Sequence, residues 1–313
     1  MQRDRVPSFL SGLEEGVGTV RRYYLIDSFI EGLKTYFSDR INLFFAICLV
    51  VLLFMAAFGP MIAPSSISKY HMDGQGNIDR LASPSVDHPL GTNDMGQDVF
   101  SRLLFGSRAT VLIGFISGII LVSIGLSVGI LSGYFGGWVD GLLMRFTDFA
   151  YGVPLIPTAI VLVAYMGLNF WSTIALLGVF LWRGNARVFR SQVLQIKERE
   201  HVKVAEAFGA SDSYIITKHI LPNMVGMVML FFALGSGVAI LLSASLAFLG
   251  FMNPFVPSWG IMLRNAYQSG FAMEAWWWTF SAGLAISFTV LVIIMLGRGY
   301  ERITQTNVDE VQA

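Results

Sequence analysis

Charge is scarce in this sequence, and cysteine almost absent. Lysine plus arginine number 21 and aspartate plus glutamate 21, so 13% of the 313 residues carry charge, about half the roughly 25% of an ordinary soluble domain. That leaves too little polar surface for a water-facing fold of this length. With basic and acidic residues in balance, neither a basic nucleic-acid-binding face nor an acidic solvating tail has support. The single cysteine, Cys48, lies in an apolar run, which excludes an intrachain disulfide framework and a Cys-rich metal site and leaves it a packing role. A phosphate-binding loop is missing too: none of the five lysines follows a glycine, so the chain does not hydrolyse ATP by the Gly-Lys-Ser/Thr route. There is no His-Glu-x-x-His, and His71, His88, His201 and His219 are scattered, so no resident metal is expected. What the sequence has in abundance is apolar residues, 54% of the chain with a mean hydropathy of +0.62. It reads as an all-α, polytopic membrane protein.

A crossing helix needs about 20 mostly apolar residues, and the gaps between charges show where these lie. Charge-free runs predict spans at 42–64, 109–135, 225–250 and 276–297. Between Asp148 and Arg183 lie 34 uncharged residues, too many for one helix, with a break at Gly167, Leu168 and Asn169. Two further spans are expected there, at 142–166 and 170–187, making six. Lysine and arginine collect on one side of such a chain, in the arm 1–41, the turn at Arg145, the segment 188–223 with the arginines just before it, and the tail 298–313. These hold 16 of the 21 basic residues. By the positive-inside rule both termini are cytoplasmic, and the segments 65–108 and 251–275 face outward. The first apolar run starts too late for a short cleavable leader, so the first span is expected to remain.

Within the arm, Ile26, Phe29, Ile30, Leu33 and Phe37 recur at helical spacing, as in a helix lying in the membrane interface or a partly ordered cytoplasmic arm. Gly114, Gly118, Gly125, Gly129 and Gly133 follow steps of four and seven along one helix face, the pattern that lets helix backbones approach closely. Pro154 and Pro157 predict a kink in the third span. Ionisable groups at mid-membrane, usual in proton- or sodium-driven carriers, are lacking, since Asp140, Asp148 and Glu274 sit at span ends. Asp73, Gln75, Asn77 and Asp79 alternate like the start of a calcium loop, but Ile78 and Pro84 occupy the positions of the required glycine and glutamate. Asp94 and Asp98 form a possible carboxylate pair; the nearby Pro89, Gly91 and Gly96 favour turn-anchoring roles. Arg183, Arg187 and Arg190 share a helix face and are expected on lipid phosphates or on the segment that follows.

The most informative stretch is QIKEREHVKVAEAFGASDSYIITKHILPN, residues 195–223. It is neither apolar enough to insert nor polar enough to be a free loop. Val202, Ala205 and Phe208 space like one helix face, Gly209 suits a left-handed cap, Asp212 starts a second short helix, and Pro222 stops it. Two short helices around a glycine form a knob for a groove on another protein, or a helix pair resting on lipid head groups.

Lys203-Val204-Ala205, then Gly209 and Leu221-Pro222, resemble the EAA loop of permease subunits in bacterial and archaeal ATP-binding-cassette importers. Lys203 and Val204 stand where that loop usually has Glu and Ala. Gly209-Ala210-Ser211 and His219-Ile220-Leu221-Pro222-Asn223 look like the dipeptide, oligopeptide and nickel branch, C-type subunit. His88-Pro89-Leu90-Gly91-Thr92 through Gly96-Gln97-Asp98-Val99-Phe100-Ser101-Arg102 agree, as do Asp140, Met144-Arg145, Asp148, Ser243-Ala244-Ser245-Leu246, Phe248-Leu249-Gly250 and Pro257-Ser258-Trp259-Gly260.

The resemblance implies a non-catalytic half-pore with the type I permease fold, paired with a paralogous permease. It also implies two cytoplasmic ATPases that bind ATP and Mg, and an external solute-binding protein that delivers peptides, with nickel or another metal chelate and oligosaccharides as further substrate classes. It implies ATPase docking through Lys203, Val204, Ala205, Gly209, Ala210, Ser211, Asp212, Leu221 and Pro222, and candidate path residues Ser243, Ser245 and Pro154. A self-contained channel or membrane enzyme built on the outer loop is the reading from another class.

Overall fold

The computed structural model describes residues 36–312 apart from 73 and 168. The stripe expected at 26–37 thus lies outside the described residues except for its last member, as does Asp73. The described chain is helical: α1 (Arg40–Ile62), α2 (Val99–Phe135), α3 (Gly137–Gly152), α4 (Leu155–Met166), α5 (Phe170–Lys197), α6 (Glu200–Ala207), α7 (Asp212–Ile215), a π turn (Ile216–Ile220), α8 (Leu221–Phe248), α9 (Trp259–Gln268) and α10 (Trp276–Gln312). Among the described residues the only β pairing is two isolated bridges, Met72 with Ile78 and Thr92 with Asp98.

Among the described residues, four stretches are long and apolar enough to cross a membrane: Arg40–Ile62, Val99–Phe135, Asp212–Phe248 and Trp276–Arg302. The other two expected spans differ from the expectation for identifiable reasons. The span predicted at 142–166 is two helices, because Pro154 has no N–H to donate and holds Val153 extended (φ −87°, ψ 110°) between them. The one predicted at 170–187 is the first part of a 28-residue helix in which Arg183, Asn185 and Arg187 interrupt the apolar run. Helix ends were also read too tightly from charge. α2 begins ten residues before the expected start at 109, because the Asp98 carboxylate accepts from Ser101 N at 2.7 Å as an N-cap. Charges mark where a bilayer ends, whereas caps mark where a helix ends.

α2 is the hub, packed on α1, α5 and α8. Lipid is as apolar as leucine, so burial against water cannot hold helices together there and close approach must. The glycine stripe supplies it against two partners. Gly125, Gly129 and Gly133 lie on α5, and Gly114 and Gly118 lie on Ile240 and Ser236 of α8. A Cβ at Gly129 would sit 2.6 Å from Phe189 Cβ and 3.0 Å from the Ala186 carbonyl oxygen. Fully buried Phe189, Leu177, Trp259 and Trp278 fill the space between helices, and Cys48 packs at the edge of the tryptophan cluster.

The segment between α1 and α2 is pinned by side chains. His88 Nδ1 lies 3.0 Å from Asp98 Oδ1, and Ser65 Oγ 2.9 Å from His71 Nε2. Asn93 Oδ1 accepts from Met95 N and Gln97 N at 3.0 and 2.8 Å. Asp98 is therefore committed to a cap and a histidine rather than to a carboxylate pair. Asp94 lies apart, in an open cleft shared with Arg102 and Gln268, where burial raises its carboxyl pKa.

Candidate docking site

The segment from Glu198 to Asn223 folds as a knob with one anchored side and one bare side. α6 ends on Phe208, and Gly209 follows at φ +79°. Gly209 N donates to Glu206 O (2.9 Å) and Ala210 N to Ala205 O (3.0 Å), the paired bonds that close a helix through a left-handed residue. The next cap is Ser211, whose hydroxyl accepts from Tyr214 N at 3.4 Å; Asp212, expected to start the second short helix, is the first residue of α7. Serine takes the position because its ψ of 152° is extended, as a cap requires.

Pro222, expected to stop the second helix, lies at the start of α8. The π turn Ile216–Ile220 precedes it and carries the chain directly from α7 into α8. A proline in the first turn of a helix forfeits a donor that would be unpaired there anyway, and the widened turn gives its ring room.

The inner side of the knob is Val202, Ile215 and Ile220, each at most 1% exposed and packed with Phe189, Val193 and Met224. Two polar ties hold it: Tyr134 Oη donates to Asp212 Oδ1 at 2.8 Å, and Arg199 Nη1 to Asn223 Oδ1 at 3.4 Å. The outer side is Phe208 (89% exposed), Val204 (53%) and Tyr214 (45%), beside the open surface at Gly209, where a Cβ would meet nothing. Phe208, which spacing puts on one helix face with Val202 and Ala205, is thus the most exposed apolar group of the knob: the left-handed turn at Gly209 swings the chain away before anything covers it. Lys203 Nζ pairs with Glu198 Oε2 at 2.8 Å, which raises the lysine pKa and lowers that of the glutamate. Burial, then the neighbouring His219 and Arg199, lowers the pKa of His201. Sequence reasoning missed Tyr134 and Glu198. Glu198 lies five residues before Lys203, and Tyr134 is distant in sequence with no local signal.

The three arginines expected on lipid or on this segment are instead spent on α3. Arg183 donates to the Ala150 carbonyl and, at 2.9 Å, to that of Val153. Arg187 pairs with Asp148. Arg190 grips Asp140 with two bonds, Nε to Oδ1 at 2.6 Å and Nη2 to Oδ2 at 2.5 Å.

The path candidates are not brought together as one surface. Ser243 is 3% exposed, its hydroxyl donating to Ile240 O at 2.8 Å. Ser245 is exposed and donates to Leu241 O at 2.8 Å, and Pro154 is exposed at the α3–α4 break.

Residues 125–306 match the family model for the binding-protein-dependent transport system inner membrane component. The chain is 35% identical over 255 residues to the dipeptide transport system permease protein DppC of Bacillus subtilis, covering 81% of this chain and 78% of that one. It is 34% identical over 257 residues to the glutathione transport system permease protein GsiD of Pectobacterium atrosepticum, covering 82% of each. A solved inward-facing structure of the MetNI methionine ABC transporter has a similar fold, with a TM-score of 0.53, 19% identity, and coverage of 65% of this chain and 95% of that one. The chain belongs to the family of inner-membrane components of binding-protein-dependent transport systems, as a multi-pass, non-catalytic permease subunit of the ABC importer type.

Proposed function

We propose that this chain is half of the pathway of an ATP-driven peptide importer and receives its energy through the knob at 198–223. The observation that carries this is Phe208: a phenylalanine bare to solvent on a chain whose sequence lacks a P-loop, held out by a left-handed turn at Gly209 on an anchored base. Exposed aromatics on a rigid base are characteristic of docking surfaces. Two cytoplasmic ATPases with ATP and Mg take the knobs of this chain and of a paralogous permease, and an external binding protein delivers the solute. Peptides are favoured because the relatives are named for dipeptide and glutathione transport.

In this reading six crossings come from α1, α2, the bent pair α3–α4, α5, α8 and α10, with both termini cytoplasmic, and Ser245 and Pro154 are exposed toward the path while Ser243 supports it from behind. Lys203, Val204, Ala205, Gly209, Ala210, Ser211, Asp212, Leu221 and Pro222 form or support the docking surface. The test is reconstitution in liposomes with the sister permease, the ATPases and the binding protein. Labelled dipeptide uptake should require all of them and ATP. Uptake or catalysis by this chain alone would overturn the reading in favour of a channel or enzyme.

A further inference from the structure

A second surface lies at the opposite end of α2 from the knob. There Arg108, Leu112 and Ile116 of α2 join Phe170 and Trp171 of α5 and Pro257 of the α8–α9 connection around a cleft of about 490 Å3, within the usual range for a ligand site. The cleft is apolar except for one group, the exposed guanidinium of Arg108. That guanidinium makes no ion pair or hydrogen bond with the described residues, although Arg183, Arg187 and Arg190 on α5 are all engaged.

Depth along α2 says what such a cleft faces. The uncharged stretch 109–135 rises ~40 Å at about 1.5 Å per residue, close to the roughly 40–45 Å of a bilayer with its headgroup layers. With the Tyr134 end at one headgroup layer, Arg108 lies at the other. Trp171, 66% exposed, begins α5 beside it, where an interfacial tryptophan belongs. Below them Leu112 and Ile116 continue the cleft toward the hydrocarbon.

We propose that this cleft is a binding site for an anionic phospholipid, its phosphate held by Arg108 and one acyl chain lying along Leu112, Ile116 and Phe170. A guanidinium matches a phosphate with two parallel bonds, and the apolar walls beside it suit an acyl chain. The inference rests on the membrane-spanning fold and is independent of the substrate and of the ATPase contact.

The experiment is native mass spectrometry of the purified transporter complex offered equimolar phosphatidylglycerol and phosphatidylcholine. The wild type should retain phosphatidylglycerol in about fivefold preference, the ratio expected of one interfacial arginine. Arg108→Gln should bring the ratio near parity, Arg108→Lys should keep most of the preference, and Leu112→Trp, which fills the cleft, should release both lipids. Glycerol 3-phosphate, a headgroup without chains, should displace neither. Parity in the wild type, an undiminished preference in Arg108→Gln, or displacement by glycerol 3-phosphate would overturn the proposal. So would a photoreactive group at Leu112 that crosslinks to the sister permease instead of lipid.

Discussion

The phenol of Tyr134 donates to the carboxylate of Asp212 at 2.8 Å, joining the last turn of α2 to the first residue of α7. Lys197 reinforces the joint, donating to the Tyr134 carbonyl at 2.8 Å with its ammonium 5.2 Å from the ring centroid. A hydrogen bond to a charged acceptor is worth about 1.5–3 kcal/mol, too little to decide folding and enough to set the angle of a four-residue helix. Tyr134→Phe should leave the amount of inserted protein unchanged and lower uptake severalfold, with more ATP hydrolysed per solute moved. Unchanged stoichiometry in proteoliposomes would remove Tyr134 from the coupling path.

At Gly209 the backbone and the bare surface make separable demands. Gly209→Ala places a Cβ in open space at a positive φ, costing about 1 kcal/mol, so insertion and uptake should be mildly affected. Gly209→Asp should insert and pair with the sister permease normally, yet fail to copurify the ATPases, because an unpaired carboxylate in a docking groove is expensive. Phe208→Ser should weaken copurification without lowering membrane content. Full ATPase recovery with both Gly209→Asp and Phe208→Ser would make the lipid-surface account of the knob the better one.

The bidentate pair of Arg190 with Asp140 holds α3 onto α5. Arg190 keeps the Asp140 carboxyl below the ordinary carboxylate range, so the tie is complete at neutral pH and is lost as pH falls through that lowered value. Asp140→Asn and Arg190→Gln should each lower the thermal midpoint of the solubilised protein. In the double variant the losses should fall short of additivity by about 1 kcal/mol. Strict additivity would mean the two side chains act independently.

Topology is testable by labelling. In a Cys48→Ala background, cysteine at the exposed positions Ser66 and Asn253 should react with an impermeant thiol reagent added to intact cells. Cysteine at Ser211 should react only after the membrane is opened. Outside labelling at Ser211 would invert the proposed orientation.

The sequence made the fold class legible because composition and charge-free runs report on solvent, and lipid is an unforgiving one. It made the glycine stripe legible because small residues at steps of four and seven admit few readings, and Gly129 packs on Phe189 as the pattern requires. It made Gly209 legible because a left-handed cap has a local signature. It did not show the partners of Arg183, Arg187 and Arg190, since charge pairing between α5 and α3 depends on which helices become neighbours. Nor did it show how bare Phe208 is, because spacing identifies a helix face, while the turn one residue later decides whether anything lies against it. Pro222 was read as a stop because its ring does end helices, unless a π turn precedes it.

The break at Val153–Pro154 has a consequence for motion. Its loose carbonyls are not left to water or to lipid; Arg183, on another helix, holds those of Ala150 and Val153. α3 and α4 therefore meet at a joint that Arg183 ties from outside the pair, as in a door whose catch is mounted on the frame. α3 carries the carboxylates that Arg187 and Arg190 grip, whereas α4 is held by apolar packing, with Ala159 fully buried and Leu155 and Leu162 on the same cluster, so a movement at this joint would strain ion pairs on one side and side-chain fit on the other.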